Sequence, residues 1–484
     1  MFDLIVIGGG PAGVTAALRG CELGAAVALV DRSFLGGTCT NDGCVPTRVL
    51  ARTARLMRDA EQLAQYGLDA PRPMLDFERM MNRVRQVVYQ VHEKKQLLDQ
   101  LESAQVKTYI GKGDARFTDA THLSLTDGTI LEGKKFIIAA GGHSRRLNFP
   151  GNEHALIHSD VWNMTRLPQS ILVVGGGATG CQFASVLATF GARVTVIDVA
   201  PQILLTEDQA VAAAIRESFQ QSGLEVILGI EKIERIDLHE GQRRLIYTKD
   251  GTKHHIDAEA VLLSVGWPGN LEPLNLTAVG VKTVRDYIEV NDMLQTSAPH
   301  VYAAGDINGR MMLVQSASHQ GRIAAENALL DPKKTDERQL VPHGGFTDPE
   351  YASIGLTERQ AREKHDIVTA TVPYADTDRA VIDAHPAGFC KLIADRATQQ
   401  IIGAHVVGEQ ALEVVHVVAA GMAGKLSIEG FAALEIAYPT FASVIGLAAR
   451  QLARELGITQ MTNAWQMSNR PSAEWEQRAD KEQE

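Results

Sequence analysis

Residues 3–13 read DLIVIGGGPAG. A short apolar, β-branched run meets Gly8, Gly9 and Gly10, then Pro11, Ala12 and Gly13, before an Ala- and Leu-rich stretch of helical character. The next apolar run, AAVALVD at 25–31, closes on Asp31, 18 residues beyond Gly13. The order predicts strand, glycine turn, helix, strand and acid. Glycines at such a turn let the backbone approach a pyrophosphate, the helix start offers N–H groups and a positive dipole end, and the acid accepts from ribose hydroxyls.

The pattern returns. ILVV at 171–174 precedes Gly175-Gly176-Gly177-Ala178-Thr179-Gly180, and VTVID ends on Asp198, again 18 residues past the last glycine. One glycine-rich turn is weak evidence, whereas two with matching downstream acids imply two bound dinucleotides. A carboxylate at Asp198 suits a free 2′-hydroxyl and repels a 2′-phosphate, and the following VAPQILL offers no Arg or Lys to hold that phosphate.

Between the two turns lies GGTCTNDGCVPTR at 36–48. In an ideal helix, positions five apart have Cα atoms about 8.6 Å apart, whereas a disulfide needs roughly 4.4–6.8 Å. Cys39 and Cys44 can therefore bond only where the backbone tightens, and Asn41-Asp42-Gly43 suits such a turn. Pro46 is placed to pre-set the helix that follows, TRVLARTARLMRDA. A near-surface bridge of this kind is the labile kind. A metal site would want further ligands, and no second cysteine pair or His cluster lies nearby. Two free cysteines packed as small hydrophobes are the plain alternative.

Composition bounds the rest. At 484 residues the chain suggests two to four domains. Apolar content of 45% and charged content of 22% are those of a globular protein, and a net charge of −11 argues against a nucleic-acid partner. Five cysteines form no disulfide framework, MFDLIVIGGG has no leader-like pattern, and no run of about twenty apolar residues suggests a membrane span. A cytoplasmic, reducing setting is expected.

These motifs resemble the pyridine nucleotide–disulfide oxidoreductases, FAD enzymes related to dihydrolipoamide dehydrogenase, glutathione reductase and mercuric reductase. The resemblance extends to AAGG (139–142), VYAAGDI (301–307), MMLVQSA (311–317) and GFTDPEYASIGLTE (345–358), and runs to about residue 455. It implies an α/β fold with two Rossmann-like dinucleotide-binding domains and a C-terminal α+β dimerisation domain. The expected map is an FAD domain at 1–148 with a helical insert at about 46–105, an NAD domain at 149–271, and a return to the FAD layer at 272–342. A dimerisation domain at 343–455 and a polar tail at 456–484 complete it; Trp465 and Trp475 in the tail are more simply solvent-facing than docking residues.

By resemblance, FAD contacts fall on Gly8, Gly10, Pro11, Ala12, Gly13, Asp31, Arg32, Gly37, Thr38, Ala115, Ala140, Gly141, Gly305, Asp306, Met312, Leu313 and Val314. Nicotinamide contacts fall on Gly175, Gly177, Ala178, Thr179, Gly180, Gln182, Asp198 and Gly266, with NADH favoured over NADPH. The same resemblance makes Cys39–Cys44 a redox-active disulfide: Cys44 faces the flavin, and Cys39 attacks or ligates the substrate. It also implies a homodimer whose partner completes the site. Cys21, Cys181 and Cys390 read as packing residues.

Four departures bear on the substrate. The usual lysine after the cysteine motif is Arg48, and its usual glutamate partner is Gln182, so a cation without a carboxylate is expected there. Ala178 replaces an aromatic gate. In AYPTFASVIGLAARQ (437–451), Tyr438 stands in the slot of the catalytic histidine and Ser443 in that of its glutamate. Tyrosine is a poor base at neutral pH. The GLAARQ continuation resembles the mercuric reductase branch, yet no vicinal cysteine pair lies near the C-terminus and no metal-binding domain precedes the FAD motif. The leading expectation is an NADH-dependent FAD oxidoreductase acting on a disulfide through Cys39, Cys44, Arg48 and Tyr438. The alternatives are a reductase of mercuric or similar soft ions, a quinone-reducing diaphorase, and a non-catalytic redox sensor.

Overall fold

The structure is a computed structural model that describes residues 1–331, 333–336 and 340–458. Trp465, Trp475 and most of the 456–484 tail lie outside the described residues. Contacts divide the chain into two units, Met1–Ile354 and Gly355–Glu484.

The first unit opens with β1 (Phe2–Ile7), α1 (Pro11–Glu22) and β2 (Val27–Asp31), the strand, helix and strand that the glycine turn implied. Four helices follow: α2 (Gly37–Asn41), α3 (Cys44–Glu61), α4 (Phe77–Lys95) and α5 (Leu97–Ser103). The chain then returns through β3 (Lys107–Ile110), β4 (Ala115–Phe117), β5 (His122–Leu125) and β6 (Ile130–Ile138). β3, β2, β1 and β6 pair in that order and in parallel, while β4 and β5 form an antiparallel extension of β6. Successive residues of β1 are buried on opposite faces: Leu4 and Val6 join one core, Ile5 and Ile7 the other. A parallel sheet covered on both sides needs continuous apolar strands of that kind.

A second parallel sheet is built from β7 (Leu156–Ile157), β8 (Ser170–Val174), α6 (Ala178–Thr189), β9 (Arg193–Asp198), α7 (Gln209–Gln221) and β10 (Glu225–Leu228). The antiparallel β11 (Lys232–His239), β12 (Gln242–Lys249) and β13 (Thr252–Ala258) precede its last strand, β14 (Ala260–Leu263), giving the order β10-β9-β8-β14-β7. A hairpin of β15 (Thr283–Val284) and β16 (Tyr287–Ile288) leads to β17 (Val301–Ala303), which pairs with β6 of the first sheet. Helix α8 (Val314–Leu329) packs against α1, and an antiparallel hairpin of β18 (His343–Gly345) and β19 (Tyr351–Gly355) ends the unit.

The second unit contains α9 (Glu358–Arg362), β20 (Ile367–Pro373), α10 (Asp378–Ile382), β21 (Phe389–Asp395) and β22 (Gln400–Val407). Its three strands pair antiparallel, and α11 (Ala411–Ala423), α12 (Ile428–Ala432) and α13 (Ser443–Glu455) complete it. The architecture is thus α/β with a C-terminal α+β unit, as the motifs implied.

Candidate active site

The two glycine turns are built alike. Gly8 and Gly175 each adopt a left-handed backbone, at φ 111° and 104°, where a Cβ would press on the carbonyl oxygen of Ala139 or Ser264 at 2.2 or 2.3 Å. At Gly13 and Gly180 an added Cβ would stand only 1.7 and 1.9 Å from the carbonyl oxygens of Gly8 and Gly175, so glycine lets each helix seat on its own turn.

The acids also match. The Asp31 carboxylate accepts the Gly9 N–H at 2.6 Å and the Ser33 N–H at 2.8 Å. That of Asp198 accepts from Gly176 at 2.6 Å and Ala200 at 2.9 Å. Each carboxylate has lone pairs left for a ribose hydroxyl.

Both turns fit a pyrophosphate. The N-cap positions, Gly10 and Gly177, give no side-chain cap to the first-turn N–H groups, and a Cβ at Gly177 would meet nothing within 4 Å. Ala178 and Thr179 are exposed beside it. Uncapped N–H groups at an open helix start make an anion site. Gly37 closes on the first turn, where a Cβ would come within 2.8 Å of Gly10 Cα. Ala115 lies buried on β4, and Arg32 reaches Asp114 at 3.8 Å on the surface. The carbonyls of Ala140 and Gly141 accept from Asn270, and that of Gly266 accepts from Arg145. Gly305 donates to Gln320 at 2.8 Å beside half-buried Asp306, whose burial raises its pKa. Met312 and Val314 stand half-exposed around Leu313, the residue that caps α8.

The cysteine segment folds as two helices meeting at a tight corner. The Asn41 amide donates to the carbonyls of Leu35 and Gly37 at 3.1 and 3.0 Å, and Asp42 N–H closes on Thr38. Helix α3 begins at Cys44 itself, two residues ahead of the start expected at Pro46. Proline is accepted within that first turn because the N–H it lacks has no helical partner there. The Asp42 carboxylate accepts from Ser159 at 2.7 Å and its carbonyl from the Trp162 indole at 2.9 Å, which pins the corner to a His158, Trp162, Phe183 and Trp267 cluster.

The corner brings the thiols of Cys39 and Cys44 close enough to set each other's acidity, both free, Cys39 half-buried and Cys44 exposed. The two separate in acidity. The hydrogen bond from Cys39 lowers Cys44 to about 7, helped by a backbone N–H at the helix start, and the same bond, with burial, pushes Cys39 up. Cys44 is thus the more acidic of the pair.

Around them lie residues the motif reading did not single out. The Lys95 ammonium donates to Thr40 at 2.8 Å, and the His92 ring meets Asn41 Oδ1 at 2.7 Å. Both residues stand on the last turn of α4, about fifty residues from the cysteines in sequence, and no local pattern marks them.

Arg48 overturns the expectation of a cation without a carboxylate. Its guanidinium lies 3.8 Å over the Phe346 ring and reaches Glu350 at 3.4 Å. Gln182 does not pair with it: its oxygen accepts the Phe346 N–H at 3.2 Å, and its amide donates to Ala178 at 3.1 Å. The carboxylate comes from the β18–β19 hairpin instead.

Tyr438, in the second unit, is exposed, and its hydroxyl donates to Asp378, which raises the phenol pKa. Ser443 opens α13 and donates to Thr440 at 2.7 Å. Cys21 packs half-buried against the first core. Cys181 donates to the Gly176 carbonyl at 3.3 Å, and burial pushes both it and Cys390 up to about 12. Among the described residues no cluster of His, Cys, Asp and Glu could hold a metal ion, and no helix is long and apolar enough to cross a membrane.

Residues 2–321 match the family described as pyridine nucleotide-disulphide oxidoreductase, and 341–449 match its dimerisation domain. A dihydrolipoyl dehydrogenase of Bacillus subtilis is 33% identical over 469 residues, covering 93% of this chain and 97% of the relative. A mercuric reductase of Staphylococcus aureus is 32% identical, covering 93% and 82%. Among solved structures, the Cu(II) complex of the HOCl-induced flavoprotein disulfide reductase RclA from Escherichia coli superposes with a TM-score of 0.83 at 26% identity, over 93% of this chain and 99% of that one.

Proposed function

The chain belongs to the pyridine nucleotide-disulphide oxidoreductase family, and on that premise we propose that Cys39 and Cys44 are its redox pair. It is an FAD-dependent oxidoreductase driven by a pyridine nucleotide. The observation that carries the assignment is the placement of the two thiols on either side of the α2–α3 corner, where each shifts the other's acidity. Bound FAD supplies the two-electron step between nicotinamide and sulfur. The first glycine turn with Asp31 holds the FAD, and the second with Asp198 holds NADH in preference to NADPH. The 1–148, 149–271, 272–342 and 343–455 divisions are proposed as the FAD, NAD, returning and dimerisation segments of a cytoplasmic homodimer.

The residues then act as follows. Once reduced, the pair keeps its proton on Cys39. The Cys44 thiolate is the group in contact to receive that proton, which frees the Cys39 sulfur as nucleophile. Cys39 attacks a substrate RS–SR′, its new S–S bond forms as the substrate's breaks, and RS⁻ leaves and takes up a proton. Cys44, its proton returned to water, attacks Cys39, and R′S⁻ leaves as the Cys39–Cys44 bond closes. Over the cycle NADH, one proton and RS–SR′ become NAD⁺, RSH and R′SH. Tyr438, its phenol pKa raised by the hydrogen bond to Asp378, is a poor base.

That same feature favours a second reading, reduction of a soft metal ion as substrate. Two thiolates can bind such an ion without any base, and relatives of this chain include a mercuric reductase and a structure holding Cu(II). NADH oxidation by the purified protein, run against Hg(II) with excess small thiol, Cu(II), a panel of disulfides and a quinone, separates the readings. Turnover with one disulfide that Cys39→Ser abolishes is the expected result. Turnover with the metal ions alone transfers the assignment to the second reading, and quinone turnover that survives Cys39→Ser, with no other acceptor used, overturns both.

A further inference from the structure

The reduced pair gathers negative charge, and the nearest groups decide how readily it can. On α3 the only cation one turn beyond Cys44 is Arg48, on the same helix face by its four-residue spacing. Its guanidinium is already matched by Glu350 at 3.4 Å and seated over Phe346. From the corner itself, Asp42 is bound by Ser159 at 2.7 Å, with His158 at 3.6 Å. Asp306, which follows β17, is a like charge that disfavours both thiolates. From α4, His92 is turned onto Asn41, and burial together with Lys95 lowers its pKa, which leaves it neutral at pH 7.

Lys95 is the exception. Its side chain is half-buried, ends on the hydroxyl of fully buried Thr40 at 2.8 Å, and has no carboxylate within salt-bridge distance among the described residues. Thr40 is the residue next to Cys39. Taking an ammonium partly out of water with only a hydroxyl for company is costly unless a negative charge comes near, and the reduced thiols are the charge at hand.

We propose that Lys95, held by Thr40 at the end of α4, is the positioning cation that supports the negative charge of the reduced Cys39–Cys44 pair. The inference rests on the redox reading of that pair. The sign follows from charge: a fixed cation favours thiolate over thiol, so both thiol pKa values fall in its presence and rise without it. Its charge bears on the acidity of both sulfurs, whereas the Arg48 guanidinium is matched by Glu350.

The test is the pH dependence of cysteine alkylation by iodoacetamide in the holoprotein reduced with a phosphine, with labelled Cys39 and Cys44 counted by mass spectrometry. Lys95→Met is expected to move the midpoint for the more reactive thiol upward by about one pH unit, the scale of a lost neighbouring charge. Lys95→Arg, which keeps the charge, should restore the midpoint, and Thr40→Val, which keeps Lys95 but frees it, should fall between. Equal midpoints in wild type and Lys95→Met, or equal shifts in Lys95→Met and Lys95→Arg, overturn the inference. Chemical reduction keeps this result separate from the redox reading, which is tested by whether NADH opens the same two thiols in a parallel sample.

Discussion

Both oxygens of Asp198 accept backbone N–H groups, from Gly176 and Ala200, and the side chain thereby shapes the second glycine turn and the loop after β9. Its charge still bears on any 2′-phosphate placed there, and VAPQILL supplies no counter-cation. Asp198→Ser is expected to raise kcat/KM for NADPH relative to NADH by about tenfold, the effect of about 1.4 kcal/mol. Steady-state kinetics with each nucleotide check it, and an unchanged ratio contradicts the NADH preference. At this scale the sequence was only half legible. Asp31 and Asp198 announce themselves by a fixed offset from a glycine turn, and Cys39 and Cys44 by their five-residue spacing around Asn41-Asp42-Gly43. Lys95, His92 and Glu350 do not, because what defines them is contact with residues fifty to three hundred positions away. Arg48 shows the cost of reading a departure locally. The missing carboxylate of α6 looked like a bare cation until the β18–β19 hairpin brought Glu350 to it.

At the scale of elements, the two glycine turns carry the fold, and the proposed assignment gives one nucleotide to each. A Cβ at Gly13 or Gly180 would overlap a backbone carbonyl, which cannot yield as a flexible side chain can, so either substitution lifts a helix from its strand. Gly13→Ala is expected to purify largely without FAD. Gly180→Ala should keep its FAD and weaken NADH binding by about tenfold or more, corresponding to at least about 1.4 kcal/mol. The flavin-to-protein absorbance ratio and an NADH titration read the two effects separately. Loss of FAD from both variants alike would contradict the assignment of one turn to each nucleotide. These strands and helices were legible because apolar runs of five or six residues on both faces of a parallel sheet leave few alternatives. The start of α3 was misplaced by two residues for a physical reason: proline suits a first turn as well as a first position, and the sequence does not say which.

Over the whole molecule, one unit holds both glycine turns, the thiol corner and its cations, and the other is an antiparallel sheet with five helices among the described residues. The acids and glycines at both turns and the thiols between them fall within the family match at 2–321, and the hairpin behind Arg48 within the dimerisation-domain match at 341–449. The account stands on electrons reaching Cys39 and Cys44 from the nicotinamide. The most direct measurement adds NADH to the FAD-loaded protein under nitrogen, quenches with iodoacetamide, and locates the newly labelled cysteines by mass spectrometry against an untreated, air-oxidised control. The account predicts two new labels per chain, on Cys39 and Cys44, with Cys21, Cys181 and Cys390 unchanged. NADH oxidised to completion with no new label on either cysteine would contradict it.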